Sequence, residues 1–492
     1  MNPYFLGIDI GTGSTKAVAL NSNGDTLASA QVAYPTFTPV PGFNEQDPEL
    51  IWQSFIECFR RVTTHMGSSP LAVGLSSAMH SLIPVNDEGF PLYNMITWAD
   101  ARSAAIAHDL RFSERGEELY TITGTPVYAI SILSKIIWLR QNMPEVYMQA
   151  AKFISIKEFI WFRLFGSYEV DFSLASATGL FDIIRLHWCP VALGLAGIDR
   201  SRLSEPVSTG HVRSDLTDTA RELLAFGGET SFVIGASDGC LANLGSLSLA
   251  EDMAAITIGT SGAVRITSRR PILNFESMTF NYILDEQTFV CGGPVNNGGA
   301  ALQWLLKDFL KSAVLTEETY SALFTRISTV AAGSGGLVFL PYLAGERAPI
   351  WNPQASGVFF NVREGLNQDH FCRAVVEGIC FALRQVLEII EQRSGYITHV
   401  QVSGGFTRSV TWLQLLSDII GKPVTVVHTS DASAVGAVYM AMKSVGFIAD
   451  YSVIHAPVEQ TIEPDLRLSE VYQKNFLIFK KLYPALKEVM HY

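Results

Sequence analysis

The sequence predicts an α/β protein made of two similar halves that hold one anion between them. Three observations carry this prediction. The chain has 492 residues, enough for about two or three domains at roughly 100–200 residues each. With 48% hydrophobic and 17% charged residues it must bury large cores, which excludes a disordered chain. A strand–glycine turn–strand unit near the N-terminus returns about half a chain later.

The first unit is FLGIDIGTGSTKAVALNSNGDTLA, Phe5–Ala28. An apolar run enters Gly11-Thr12-Gly13. Lys16–Leu20 leaves it as a short strand, Asn21–Asp25 is a turn, and Thr26–Ala33 is a further strand. The spacing is neither G-x-x-x-x-G-K-[ST] nor G-x-G-x-x-G, because Lys16 stands where the third glycine and a helix start belong. Gly11 and Gly13 let backbone N–H groups face an anion at close range, and Thr12, Ser14 and Thr15 add hydroxyl donors beside Lys16. Asp9, two residues before Gly11, is placed to reach a metal riding on that anion. An ordinary hairpin with an exposed acid fits the same pattern.

The second unit is MAAITIGTSGAVRITS, Met253–Ser268, in which Ile258-Gly259-Thr260-Ser261 falls on Ile10-Gly11-Thr12-Gly13. Thr257 replaces Asp9, so only the first half would hold a metal. The division between the halves falls near Leu244, giving 1–244 and 245–492. Just before it, VIGASDGCLANLG (Val233–Gly245) takes an apolar strand into a helix at Asp238. Asp238 fits either a proton acceptor for a ligand hydroxyl or an N-cap. Further on, HVQVSGGF (His399–Phe406) is a strand ending in Gly404-Gly405, followed by a helix over Ser409–Ile420. Such a junction suits a flat ring or a phosphate against bare backbone, or a plain tight turn. SAVGAVYMAM (Ser433–Met442) is a small-residue helix suited to close packing.

The formal charge of −12 and the lack of a polybasic tail argue against a nucleic-acid or anionic-membrane partner. FISIKEFIWFRLF (Phe153–Phe165) is interrupted by Lys157, Glu158 and Arg163 and reads as a buried helix, too short for a membrane span. The cysteines, Cys58, Cys189, Cys240, Cys291, Cys372 and Cys380, form no C-x-x-C and no zinc spacing, which predicts buried thiols in a reducing cytoplasm.

From Tyr4 to about Tyr439 these residues together resemble the FGGY family of carbohydrate kinases. GIDIGTGSTKA is similar to its first phosphate loop, TIGTSG to its second, GASDG to its catalytic-base segment and SGGF to its adenosine segment. GVFFNVREGLNQDHFCRAVVEG (Gly357–Gly378) is similar to a family signature, with Asn361 in place of a glycine; asparagine tolerates the left-handed turn. A second signature runs through KIIWLRQN (Lys135–Asn142), with Ile132 replacing the usual Pro, Ser or Thr. SSAMHS (Ser76–Ser81), ITWADAR (Ile96–Arg102), GGPVNNGG (Gly292–Gly299) and YLAGERAPIWNP (Tyr342–Pro353) are most similar to members that act on gluconate, and xylulose-specific members carry related versions.

The resemblance implies two ribonuclease-H-like domains of the actin and hexokinase superfold, mixed sheets flanked by helices, with the active site in the cleft. Residues 1–244 would carry the sugar pocket, the first phosphate loop and the base; 245–492 would carry the second phosphate loop and the adenosine site. It implies ATP and Mg²⁺ as cofactors and a sugar acid, D-gluconate, as substrate, phosphorylated to 6-phosphogluconate. Asp238 would be the general base and Asp9 the metal ligand. Gly11, Thr12, Gly13, Ser14 and Lys16 would meet phosphate from one side, Gly259 and Thr260 from the other. Gly404, Gly405 and Ser409 would take the adenosine end, with Gly299 and Gln303 near the nucleotide. Met79, His80, Trp98 and Arg102 would border the sugar in the first half. His80 also fits a core histidine, and W-x-D-x-R a helix-start pair with Asp100. Lys135 and Lys157 fit either the cation for the substrate carboxylate or surface charges. The resemblance leaves room for a homodimer. An actin-like filament or chaperone ATPase would keep both hairpins without needing Asp238. A nicotinamide oxidoreductase is disfavoured by the missing third glycine.

Overall fold

The computed structural model describes residues 3–225, 230–427, 431–454 and 458–490. Two mixed sheets organise it. In the first the strand order is Val212–Arg213, Ser231–Ser237, Ala72–Ser77, Tyr4–Ile10, Ser14–Asn21, Thr26–Ala33. In the second it is Phe280–Asp285, Thr288–Val295, Gly262–Ser268, Met253–Ile258, His399–Ser403, Val424–Val427, Val458–Ile462. In both, the strand that enters a glycine turn is central. It runs antiparallel to its hairpin partner and parallel to a later strand, Ala72–Ser77 or His399–Ser403. This is the duplicated, ribonuclease-H-like layout that the family resemblance implied. Tyr4–Ile10 and Ala72–Ser77 are buried almost throughout because helices cover both faces, while the edge strand Thr26–Ala33 is largely half-buried or exposed.

Register positions the chemistry. Asp9 pairs with Ser76 and Ile10 with Ser77 on one side of Ala72–Ser77, while Ala236 and Ser237 pair with the same two serines on the other. Asp9 and Asp238 therefore reach the same carboxyl-end edge of the first sheet, the usual ligand edge of an open α/β sheet. The strand Ser231–Ser237 runs past Gly235, whose φ of +70° and whose hypothetical Cβ, 1.8 Å from Leu75 O, admit only glycine.

The helix Ala432–Ser444, late in the chain, packs on the first sheet. Cβ atoms added to Gly7 and Gly74 would lie 1.9 and 2.0 Å from the carbonyl oxygens of Ala434 and Ala437, so backbone meets backbone there. With the helix Asp238–Gly245 it buries Leu241, Leu244, Val438 and Met442 in one cluster that ties the halves together. Phe153–Phe165 is not one helix: Phe153 and Ile154 belong to the strand Lys152–Ile154, and Ser155 opens the helix Ile156–Phe165 in a capping box with Glu158. Asn361 takes the left-handed conformation at φ +67°. All six cysteines are free and buried. Among the described residues no helix is long and apolar enough to cross a membrane.

Candidate active site

The two glycine turns face a common cleft. In the first, Gly11 N–H donates to Ser14 O at 3.1 Å and closes the turn. Trp98 Nε1 donates to Thr12 Oγ1 at 2.9 Å, joining the ITWADAR segment to the loop. Gly13 has open space around it, and Ser14 Oγ accepts from Gln31 at 2.8 Å. Lys16 Nζ pairs with Asp431 at 2.7 Å, a contact from the first loop to the start of the helix Ala432–Ser444. In the second turn Gly259 N–H donates to Ser261 O at 2.8 Å, and Gly299 N–H to Gly259 O at 2.7 Å. The Gly299 amide is thereby spent on the loop, and Thr260 is exposed.

Beside the second turn lies a cavity of about 730 Å³ lined by Gly259, Thr260, Gly299, Gln303, Gly405 and Ser409 together with Tyr320, Phe324 and Trp412. Ser409 Oγ caps the helix Val410–Ile420. Gly404 sits one residue below the lining with φ +108°, where a Cβ would stand 2.3 Å from Ile258 O. Tyr320 and Phe324 come from the helix Glu317–Ser328, whose sequence shows only an ordinary amphipathic pattern.

A second cavity, about 360 Å³, opens on Asp238. Gly259 lines both cavities, so the two adjoin at the second glycine turn. Asp238 is the first residue of its helix; the cap is Ser237, whose Oγ accepts from Cys240 N. Ser237, not Asp238, is therefore the cap, and among the described residues the Asp238 carboxylate accepts only from Gly239 N–H, at 2.7 Å. Burial, then the charge of Asp9, pushes its pKa up to about 7.

The sugar pocket was expected within the first half; the small cavity is lined by both halves. Thr12, Met79, His80, Trp98 and Asp238 form one side; Arg265, Tyr282 and Arg347 form the other. His80 has a φ of +64°, its carbonyl accepts from Lys135 Nζ at 2.6 Å, and its Nε2 meets Tyr282 Oη at 3.2 Å. Burial, then the Lys135 charge, drives the His80 pKa down to about 3, so the imidazole is neutral. Arg102 does not reach the pocket: its side chain is fully buried, paired with Asp100 at 2.8 Å and Glu45 at 2.6 Å over the ring of Phe43. The pairing with Asp100 is the one the helix-start alternative named, and it lies just before the helix Ala104–Arg111. Lys135 and Lys157 are neither surface charges nor pocket cations. Lys135 is wholly buried between the carbonyls of His80 and Thr97, and Lys157 is buried against Asp171, at 2.7 Å, and Ala236 O, at 3.0 Å.

The residues that sequence reasoning missed are Arg265 and Arg347. Both signals were present: an arginine in the apolar strand after TSG, and another in GERAP. Each is half-buried on the pocket wall, and neither has a carboxylate within 4.0 Å among the described residues.

Among the described residues no three His, Cys, Asp or Glu side chains gather as a metal cage. Asp9 offers one carboxylate, with Oδ1 accepting from Ser76 at 2.7 Å. One carboxylate suits a Mg²⁺ ion that brings phosphate oxygens and water as its other ligands, so the residues present fit such an ion.

Residues 4–245 match the N-terminal domain, and residues 254–445 the C-terminal domain, of the FGGY family of carbohydrate kinases. The chain belongs to this family. As an FGGY carbohydrate kinase it uses ATP to phosphorylate a sugar-type substrate. It is 38% identical over 488 residues to a gluconokinase of Bacillus subtilis (strain 168), covering 96% of this chain and 95% of that one. A xylulose kinase of Staphylococcus xylosus is 26% identical over 98% of this chain and 99% of its own. The crystal structure of a gluconate kinase from Lactobacillus acidophilus superposes with a TM-score of 0.94 at 31% identity, covering 99% of this chain and 98% of that one. This FGGY kinase thus shares its whole architecture with relatives of two named sugar specificities.

Proposed function

We propose that the protein transfers the γ-phosphoryl group of ATP to the terminal hydroxyl of D-gluconate, giving 6-phospho-D-gluconate. The observation that carries this reading is the meeting of the two cavities at Gly259, with Asp238 facing the smaller one. A nucleotide in the large cavity would direct its phosphates through the second glycine turn toward Thr260 and Thr12. A sugar in the small one would present a hydroxyl to Asp238. With a pKa of about 7, Asp238 is partly ionised at neutral pH, the range in which a general base is most effective. Its helix start and the 3.0 Å hold of Lys157 on Ala236 O fix where that carboxylate sits. Mg²⁺, with Asp9 as its protein ligand, would neutralise the phosphate charge that develops during transfer. The split of the chain near residue 244 assigns the base and first loop to one domain and the nucleotide cavity to the other. Closure of the two would exclude water from the transfer.

Gluconate is favoured over xylulose by the 38% identical gluconokinase and by Arg347 on the pocket wall, a cation without an ion-pair partner among the described residues, which suits a substrate bearing a charge. The test is ADP release with ATP and Mg²⁺ across D-gluconate, D-xylulose, L-ribulose and glycerol. Gluconate is expected to give the highest kcat/KM. A neutral sugar ahead by tenfold refutes gluconate, and ATP turnover indifferent to every sugar refutes the proposed reaction.

A further inference from the structure

We propose that Arg347 receives the carboxylate of the sugar acid and sets the preference for acids over neutral sugars. This deepens the function proposed above and rests on it.

An acid entering a closing pocket needs a cation or several N–H donors, because burying a carboxylate unpaired costs several kcal/mol. The cations nearest the first-half motifs are all spent: His80 is neutral, and Arg102, Lys135 and Lys157 are buried with their own acceptors. Arg265 sits at the base. Its Nε lies 3.7 Å from the position a Cβ on Gly239 would take, and its nearest opposing charge, at longer range than an ion pair, is Asp238. Arg347 remains. It lies over the Trp98 ring, 5.6 Å from the centroid, on the wall that also carries Tyr282.

Neutral acceptors hold Arg347 in place. Nε donates to Asn296 Oδ1 at 2.7 Å and Nη2 to Val295 O at 3.2 Å; Nη1 has no acceptor among the described residues. The neighbouring Glu346 feels the charge but forms no ion pair with it. It is buried and turned onto the backbone N–H groups of Asn296 and Arg347 and the side chain of Asn297. The segments GGPVNNGG and GERAP are thus locked together to aim a guanidinium whose counter-ion arrives with the substrate. Its planar fork matches a carboxylate. A neutral sugar would leave its donors unpaired in the closed site, which is the strongest form of selection such a pocket offers.

The test compares D-gluconate with its neutral amide, D-gluconamide, on the full-length protein and on Arg347→Gln. In the parent protein the acid is expected to have a KM lower by at least about 30-fold, the lower end for losing one partner of a buried charge pair. In Arg347→Gln that advantage disappears while KM for ATP is unchanged. A variant that keeps the acid-over-amide preference overturns the proposal. So does an Arg265→Gln variant that loses the preference when Arg347→Gln does not. If Arg347→Gln fails to fold, Arg347→Lys decides: a reduced preference supports the assignment and an unchanged one overturns it. Absence of sugar-dependent ADP release in the parent protein overturns the proposed function, and this inference with it.

Discussion

Replacing Asp238 with Asn separates what this carboxylate does for turnover from what it costs the fold. Asparagine keeps the size and still accepts from Gly239 N–H, but it takes no proton. Loss of a general base lowers kcat by about 10²–10⁴-fold, or ~2.7–5.4 kcal/mol at 1.36 kcal/mol per decade. The stability effect has the opposite sign. The folded-state pKa of about 7 stands above the ordinary value of 3.8. Between these pH values the folded protein keeps a proton that the unfolded chain has lost, so stability falls as pH rises through this window, and the full cost is present above pH 7. The whole difference corresponds to about 4 kcal/mol at 1.36 kcal/mol per pH unit, and water in the open pocket reduces it to about 2. The amide of the variant never ionises. Asp238→Asn is therefore expected to match the parent near pH 4 and to melt about 4–8 °C higher at pH 8. Coupled ADP-release kinetics and thermal melts at the two pH values check both arms. A kcat near that of the parent refutes Asp238 as the base, and a lower melting point at pH 8 refutes the burial argument.

Asp9→Asn should raise the Mg²⁺ concentration needed for half-maximal turnover while leaving gluconate affinity, read by tryptophan fluorescence, within a fewfold; collapse of sugar binding with no metal dependence would remove Asp9 from the metal. Lys157→Met strands the buried carboxylate of Asp171 and should cost about 3–5 kcal/mol in a denaturant melt. Adding Asp171→Asn, which removes the charge but still accepts from Leu174 N–H, should restore most of that stability but not kcat, because Ala236 O still lacks its donor; full recovery of kcat would refute a positioning role.

What lies close along the chain was legible. Both hairpins were visible because strand alternation and glycine turns are encoded within a few residues, and Thr26–Ala33 forms its strand over those bounds. The strand-to-helix junction at Asp238 and the small-residue helix near Ser433–Met442 were visible for the same reason. The repeat and the quoted motifs were enough to indicate the family. The cap at Ser237 rather than Asp238 was not legible, since a one-residue shift in the helix start reverses the two roles.

The fate of each charge was decided by tertiary structure alone. Lys135 resembles a surface lysine until two carbonyls, from His80 and Thr97, close on it, and Arg102 resembles a pocket residue until Glu45 pairs with it. Arg347 looks ordinary until Asn296 and Trp98 place it on the smaller cavity. The sequence by itself determined the two halves, their glycine turns and the strand-to-helix junction that carries Asp238, because turn and strand preferences are short-range. Which cation stays free for a substrate depends on desolvation and on partners supplied from elsewhere in the chain, and only the packed fold brings those together.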